Sequence, residues 1–288
     1  MATYITSDAH GHVRALDRAL ELAGPSSRDV IYVVGDMIDR GPDPVGVLKL
    51  VRSLPHVHVL MGNHEQMLLD ALHSEQPEDV MAWEMNGGYT TSSGLDKLPA
   101  AECDEIIAWI GQLPLHAVVE VDDLRDRRVH EAEEAPARRR FAIVHAGIDA
   151  VAARAHLDAA GIDPAQASVD ELEDMLAHQS SDDLLWIRQE FWGAPTGLVD
   201  GQGRGPIVIA GHTPSILLSR YAVNMGGTGM DADGRGCMVE VGATFDTGGE
   251  PDRIDIDCSA AAGYPAGQVG IMRLEDGARW YAPVAEGE

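Results

Sequence analysis

Cysteine is nearly absent from this chain of 288 residues: Cys103, Cys237 and Cys258 are scattered, odd in number and form no CxxC pair. That pattern excludes a disulfide framework and a thiolate zinc site. Long apolar runs are missing too. None approaches the ~20 residues that a membrane span needs. The opening MATYITSDAH has neither the basic start nor the apolar stretch of a secretory leader. Basic residues are few, 21 Lys and Arg against 47 Asp and Glu, for a net charge of −26. Such a field repels nucleic-acid phosphates and anionic membranes, and it draws in divalent cations. The expectation is a soluble, cytoplasmic protein without a nucleic-acid or membrane partner; oligomeric state is left open. No Pro/Ser-rich linker, internal repeat or low-complexity tract divides the chain, so one domain over 1–288 is expected.

What is present is a series of short Val- and Ile-rich runs. TYIT (3–6), VIYVV (30–34), VHVLM (57–61), FAIVH (141–145) and PIVIA (206–210) read as strands buried on both faces. Between the first two, Val13, Leu16, Leu20 and Ala23 share one helical face, and Gly24-Pro25 supplies a stop. Residues 44–52, 66–72 and roughly 163–178 read as further helices. Alternating strands and helices predict α/β layering, with helices flanking sheets. Three stretches read as excursions: the densely charged 122–140, the Gly- and Pro-rich 194–205, and the glycine-rich 221–252.

Each of the five strands stops in the same way. They run into Asp8-Ala9-His10-Gly11, Gly35-Asp36, Gly62-Asn63-His64-Glu65, His145-Ala146-Gly147 and Gly211-His212-Thr213. In open α/β sheets the carboxyl ends of strands form the ligand crevice. Glycine there lets backbones bend and approach closely. Oxygen and imidazole donors without thiolate suit Mn²⁺, Fe, Zn²⁺, Ni²⁺ or Mg²⁺.

SDAHG, GDMIDRG, GNHEQ, HAG and GHT, in this order, resemble the signature of the calcineurin-like metallophosphoesterases. Within that superfamily the chain is similar to bacterial Ser/Thr phosphoprotein phosphatases and to symmetrical diadenosine tetraphosphatases. WEMNGG, LLWIRQEF and RIDIDCSAAAG carry the former likeness further. The resemblance implies a two-sheet β-sandwich flanked by helices, with a dinuclear metal site at the strand ends, most naturally manganese. Matching motifs implies Asp8, His10 and Asp36 at one ion, with Asp36 bridging to a second held by Asn63, His145 and His212. A water between two cations loses a proton near neutral pH and would attack phosphorus in line. His64 is implied as general acid, Asp39 as its carboxylate partner, and Arg40 as a planar clamp on phosphate oxygens, with Arg188 as a second.

The implied activity is phosphomonoester hydrolysis on a phosphoprotein or small phosphoester; the alternative is hydrolysis of diadenosine tetraphosphate. A nuclease-type relative would carry GHxH and GNHD, whereas this chain has GHTP, with Pro214, and GNHE. A non-catalytic metal scaffold is disfavoured because every expected catalytic position is filled. The remaining histidines have plainer readings. His56 and His58 face solvent, His12 is polar at a helix start, and His73, His116, His130, His156 and His178 lack ligand-like context. Glu65 opens a helix and complements its dipole. Trp83 and Trp186 are core or pocket wall, and Cys258 is a small buried side chain.

Overall fold

The structure, a computed structural model, describes residues 1–125 and 137–288. The first half alternates β1 (Thr3–Thr6), α1 (Val13–Ala23), β2 (Val30–Val34), α2 (Pro44–Ser53), β3 (Val57–Leu60) and α3 (Asn63–His73). Three further helices follow, α4 (Pro77–Trp83), α5 (Tyr89–Leu95) and α6 (Ala100–Ile110). A hairpin of β4 (His116–Asp122) and β5 (Arg138–Val144) leads to α7 (Ala150–Ala160), α8 (Val169–Ala177), α9 (Ser181–Trp186) and α10 (Gln189–Trp192). The chain ends through β6 (Ile207–Ala210), β7 (Val239–Val241), β8 (Arg253–Asp255), β9 (Gln268–Arg273) and β10 (Arg279–Pro283).

The strands form two mixed five-stranded sheets, ordered β10-β9-β1-β2-β3 and β4-β5-β6-β8-β7. Within them β1, β2 and β3 run parallel, as do β5, β6 and β8. Antiparallel strands complete the edges. Ile5, Val34, Leu60, Ile143, Ile209 and Ile254 belong to one buried layer drawn from both sheets. A second apolar layer packs α1, α2 and α3 on the first sheet, and a third packs α7 to α10 on the second. The expected two-sheet sandwich flanked by helices is therefore the observed fold.

Local chemistry explains the helices. In α1 the residues Ala15, Leu16, Ala19 and Leu20 are buried on one face, and Gly24 terminates it at φ 61°. The Asp43 side chain caps α2 by accepting from the Gly46 N–H at 2.8 Å, with Pro44 in the first turn. The helix expected over 163–178 is shorter. It starts after Ser168, whose hydroxyl and Glu171 form a capping box that sets the boundary. Likewise α3 begins at Asn63 rather than at 66, because the strand end at Gly62 is itself the cap. The pairing of β4 with β5 runs from His116↔Val144 to Asp122↔Arg138. Most of the 122–140 excursion, and His130, lies outside the described residues. Stretch 221–252 supplies edge strand β7 and an isolated bridge between Met225 and Val241.

Candidate metal centre

The strand ends converge at the edge between the two sheets. Asp8 and His10 follow β1, Asp36 follows β2, Asn63 and His64 open α3 after β3, His145 follows β5 and His212 follows β6. All seven are buried, none more than 5% exposed. The backbone bends hard to place them. Asp8, His10, Asp36, Asp39, Arg40 and His212 all carry positive φ, between 42° and 68°. That conformation is disfavoured for side chains with a Cβ and is concentrated at functional sites. Gly35, at φ 77°, lets the loop after β2 touch the loop after β3; a Cβ there would meet the Gly62 backbone at 2.5 Å.

Two carboxylate oxygens of Asp36 face different imidazoles. Oδ2 lies 3.4 Å from His10 Nε2, and Oδ1 lies 3.4 Å from His145 Nε2. Asn63 Oδ1 lies 2.9 Å from His145 Nε2 and 2.8 Å from His212 Nδ1. Asp8 Oδ1 approaches His10 Nε2 at 4.0 Å and accepts from the His212 N–H at 3.2 Å. His145 Nδ1 donates to the Val34 carbonyl at 2.8 Å, and His10 Nδ1 to the Ile38 carbonyl at 3.0 Å. Those bonds leave each Nε2 with a lone pair. The lone pairs then point at the oxygens of Asn63 and Asp36. Acceptor facing acceptor is repulsive unless a cation lies between.

The electrostatics agree. Burial holds His145 and His212 below the usual imidazole range, and it brings His10 down to about 3, so the rings stay neutral and able to ligate. Burial works against Asp36 charge, but His145, His64 and His10 together draw its carboxyl below the usual range. His212 Nε2 is buried without a partner, an orphan that needs an explanation. Two donor groups, His10–Asp36–His64 and Asp36–His145–His212, each bring ligand atoms within 4.8 Å of one another and share Asp36. This donor set fits a pair of divalent ions bridged by one carboxylate.

His64 is otherwise engaged. Its Nδ1 sits 2.7 Å from Asp39 Oδ2, and its Nε2 accepts from Arg40 Nη2 at 3.1 Å. Burial lowers the imidazole, but Asp36 and Asp39 outweigh it, so His64 ends above its ordinary value. Asp39 is held in turn by the Thr91 hydroxyl at 2.5 Å and the Trp83 indole N–H at 2.9 Å. Trp83 is thus more than pocket wall, because it fixes the partner of His64. Arg40 and Arg188 both line a cleft of about 310 Å³ above Asp36, with Trp186, Tyr221 and Asp257. Arg188 Nη2 reaches toward the His212 carbonyl at 3.5 Å. A wider groove of about 750 Å³ beside Arg154 lies elsewhere. Arg154 is spent there on the Gly197 carbonyl and Asp158.

Three contributors were not legible in the sequence. Glu65 does not merely face a helix dipole. It is fully buried and accepts from the N–H groups of Asp36, Met37 and Gly62 at 2.8–2.9 Å. Asp257, in RIDID, is buried beside the cleft, and burial pushes its carboxyl up to about 7. Thr91 lies 52 residues from the Asp39 it holds, and no local pattern marks it. His56 and His58 are exposed, as expected, His73 is exposed too, and Cys258 is buried.

Two helix-flanked sheets with an Asp, Asn and His nest at their strand ends define the metallophosphoesterase fold. The sequence model of the calcineurin-like phosphoesterases matches residues 1–231, and the chain belongs to that family. Among curated relatives, it is 32% identical over 120 residues to the symmetrical bis(5'-nucleosyl)-tetraphosphatase of Psychromonas ingrahamii, covering 40% of this chain and 39% of that protein. It is 42% identical over 86 residues to serine/threonine-protein phosphatase 1 of Salmonella typhimurium, covering 30% and 38%. The matches thus span about two fifths of the length of these relatives. A crystal structure of a candidate diadenosine tetraphosphatase superposes with TM-score 0.54 at 18% identity, covering 99% of this chain and 94% of that one. No helix among the described residues is long and apolar enough to cross a membrane.

Proposed function

We propose that the protein is a metal-dependent phosphoester hydrolase acting as a phosphomonoesterase, with phosphoserine, phosphothreonine or phosphotyrosine residues of proteins as the substrate class. The observation that carries this reading is the set of imidazole lone pairs aimed at Asp36 and Asn63 under a cleft bounded by two arginines. Asp8, His10 and Asp36 would hold one ion, and Asp36, Asn63, His145 and His212 the other. Two such ions, manganese first among the candidates, supply an activated water and withdraw charge from the phosphoryl group.

The chain's own residues do the rest. Arg40 and Arg188 line the cleft and orient non-bridging oxygens by charge-assisted hydrogen bonds. With Arg40 turned to the phosphate, His64 acts as an imidazolium, favoured by Asp36 and Asp39, and gives its Nε2 proton to the leaving oxygen, while Asp39 accepts from Nδ1–H and fixes the ring's orientation. Trp83 and Thr91 fix Asp39. Burial of the whole nest excludes bulk water and strengthens each of these interactions.

A second reading, cleavage of dinucleoside tetraphosphates, is favoured by the likeness to several symmetrical bis(5'-nucleosyl)-tetraphosphatases. Hydrolysis of p-nitrophenyl phosphate with added Mn²⁺, against EDTA-treated protein, tests the activity; absence of metal-dependent turnover would refute it. Phosphopeptides assayed beside diadenosine tetraphosphate separate the two substrate classes.

A further inference from the structure

On the second sheet's helical layer, away from the cleft, α7 and α8 bring three side chains together. His156 lies on α7; Asp174 and His178 stand one turn apart, at the end of α8. His156 Nε2 is 2.9 Å from Asp174 Oδ2, and His178 Nδ1 is 3.7 Å from Asp174 Oδ1. The two rings stack with centroids 4.4 Å apart, tilted by 34°. One ligand atom from each residue falls within 4.8 Å of the others. His178 Nδ1 also donates to the Asp174 carbonyl at 2.7 Å. That bond leaves Nε2 of His178 with its lone pair, the same device that sets His10 and His145 in the cleft.

One carboxylate faces two stacked imidazoles. A single divalent ion between the rings uses all three groups. Two imidazoles and one carboxylate are the donors that Zn²⁺ takes in three-ligand sites, with water in the remaining position. Ligand atoms in such a site lie roughly 3.3 Å apart for Zn–N distances of about 2.0–2.1 Å. The 2.9 Å between His156 Nε2 and Asp174 Oδ2 is close to that value. The partial exposure of all three residues leaves room for the water, and the chain's charge of −26 concentrates cations at its surface.

We propose that His156, Asp174 and His178 form a third metal site, a surface Zn²⁺ clasp that ties α7 to α8. Neither histidine stands out in the sequence, because the ligands come from separate helices 18 residues apart.

The test is elemental analysis of the full chain, stripped, equilibrated with Zn²⁺ and freed of excess ion by gel filtration. The wild type is expected to retain one more Zn²⁺ per chain than the double variant His156→Ala/His178→Ala. Asp174→Asn is expected to weaken that extra ion at least about tenfold. Cu²⁺ substituted for it is expected to show imidazole nitrogen couplings by electron paramagnetic resonance, lost in the double variant. Equal metal content in wild type and double variant overturns the proposal. Manganese-dependent turnover of p-nitrophenyl phosphate is expected to be unchanged in both variants. Failure of the phosphatase reading in the wild type is therefore a separate result.

Discussion

Replacing Glu65 tests how the bridging carboxylate Asp36 is held. Glu65 is fully buried; its Oε2 accepts from Asp36 N at 2.8 Å and Gly62 N at 2.9 Å, and its Oε1 from Met37 N at 2.9 Å. The side chain therefore pins the loop after β2 to the loop after β3. Glu65→Gln keeps one acceptor oxygen for two of these bonds and turns an NH₂ toward the third donor. One buried N–H loses its partner, which costs about 1–3 kcal/mol. Glu65→Ala strips all three, and at the low end of the same range the loss is about 3 kcal/mol or more.

The assay is urea unfolding of metal-free protein, followed by Mn²⁺ titration of each variant. The unfolding midpoint is expected to fall in the order wild type, Gln, Ala. Mn²⁺ affinity is expected to fall about 10–100-fold, as for other groups that orient ligands. The pH dependence has a definite sign. Burial and the nearby Asp36 raise the Glu65 carboxyl from 4.5 to about 7. A raised acid is stabilising below its unfolded value and loses that contribution as pH climbs to the folded one. The advantage of metal-free wild type over Glu65→Gln is thus expected to shrink between pH 4.5 and about 7. An Ala variant with wild-type unfolding midpoint and Mn²⁺ affinity would show that Glu65 braces nothing.

Three further outcomes are expected. His64→Asn lowers turnover by roughly 10²–10⁴ with metal content intact; lost metal would instead make His64 a ligand. Asp39→Asn removes a carboxylate that raises His64, so the alkaline limb of the pH–rate profile, where the acid form is lost, moves to lower pH; an unmoved limb excludes His64 as the titrating acid. Arg253 is fully buried, with Nε on Asp252 at 2.8 Å and Nη1 on the Phe191 and Trp192 carbonyls at 2.8 and 2.9 Å. Arg253→Met is expected to destabilise the fold by about 3–5 kcal/mol in urea unfolding, since it leaves the Asp252 charge buried.

Strands β1, β2, β3, β5 and β6, and the ends on which the nest is built, were readable from the chain because their signals are local. A buried strand needs near-continuous Val and Ile, and a sharp exit from it needs glycine beside the functional side chain. Such patterns survive in one dimension, so Asp8, His10, Asp36, Asn63, His145 and His212 could be singled out before any coordinates. Helix limits were less legible where caps set them, as at Ser168 and Gly62. Strands β4, β7, β8, β9 and β10 were missed altogether. Only the folded chain could reveal Glu65 as a brace, Trp83 and Thr91 as supports of Asp39, and His156 meeting His178 across two helices. Those contacts join residues 22 to 52 positions apart. Hydrogen-bond geometry and burial belong to the packed state, and no periodicity in the chain encodes which distant donor will find which acceptor.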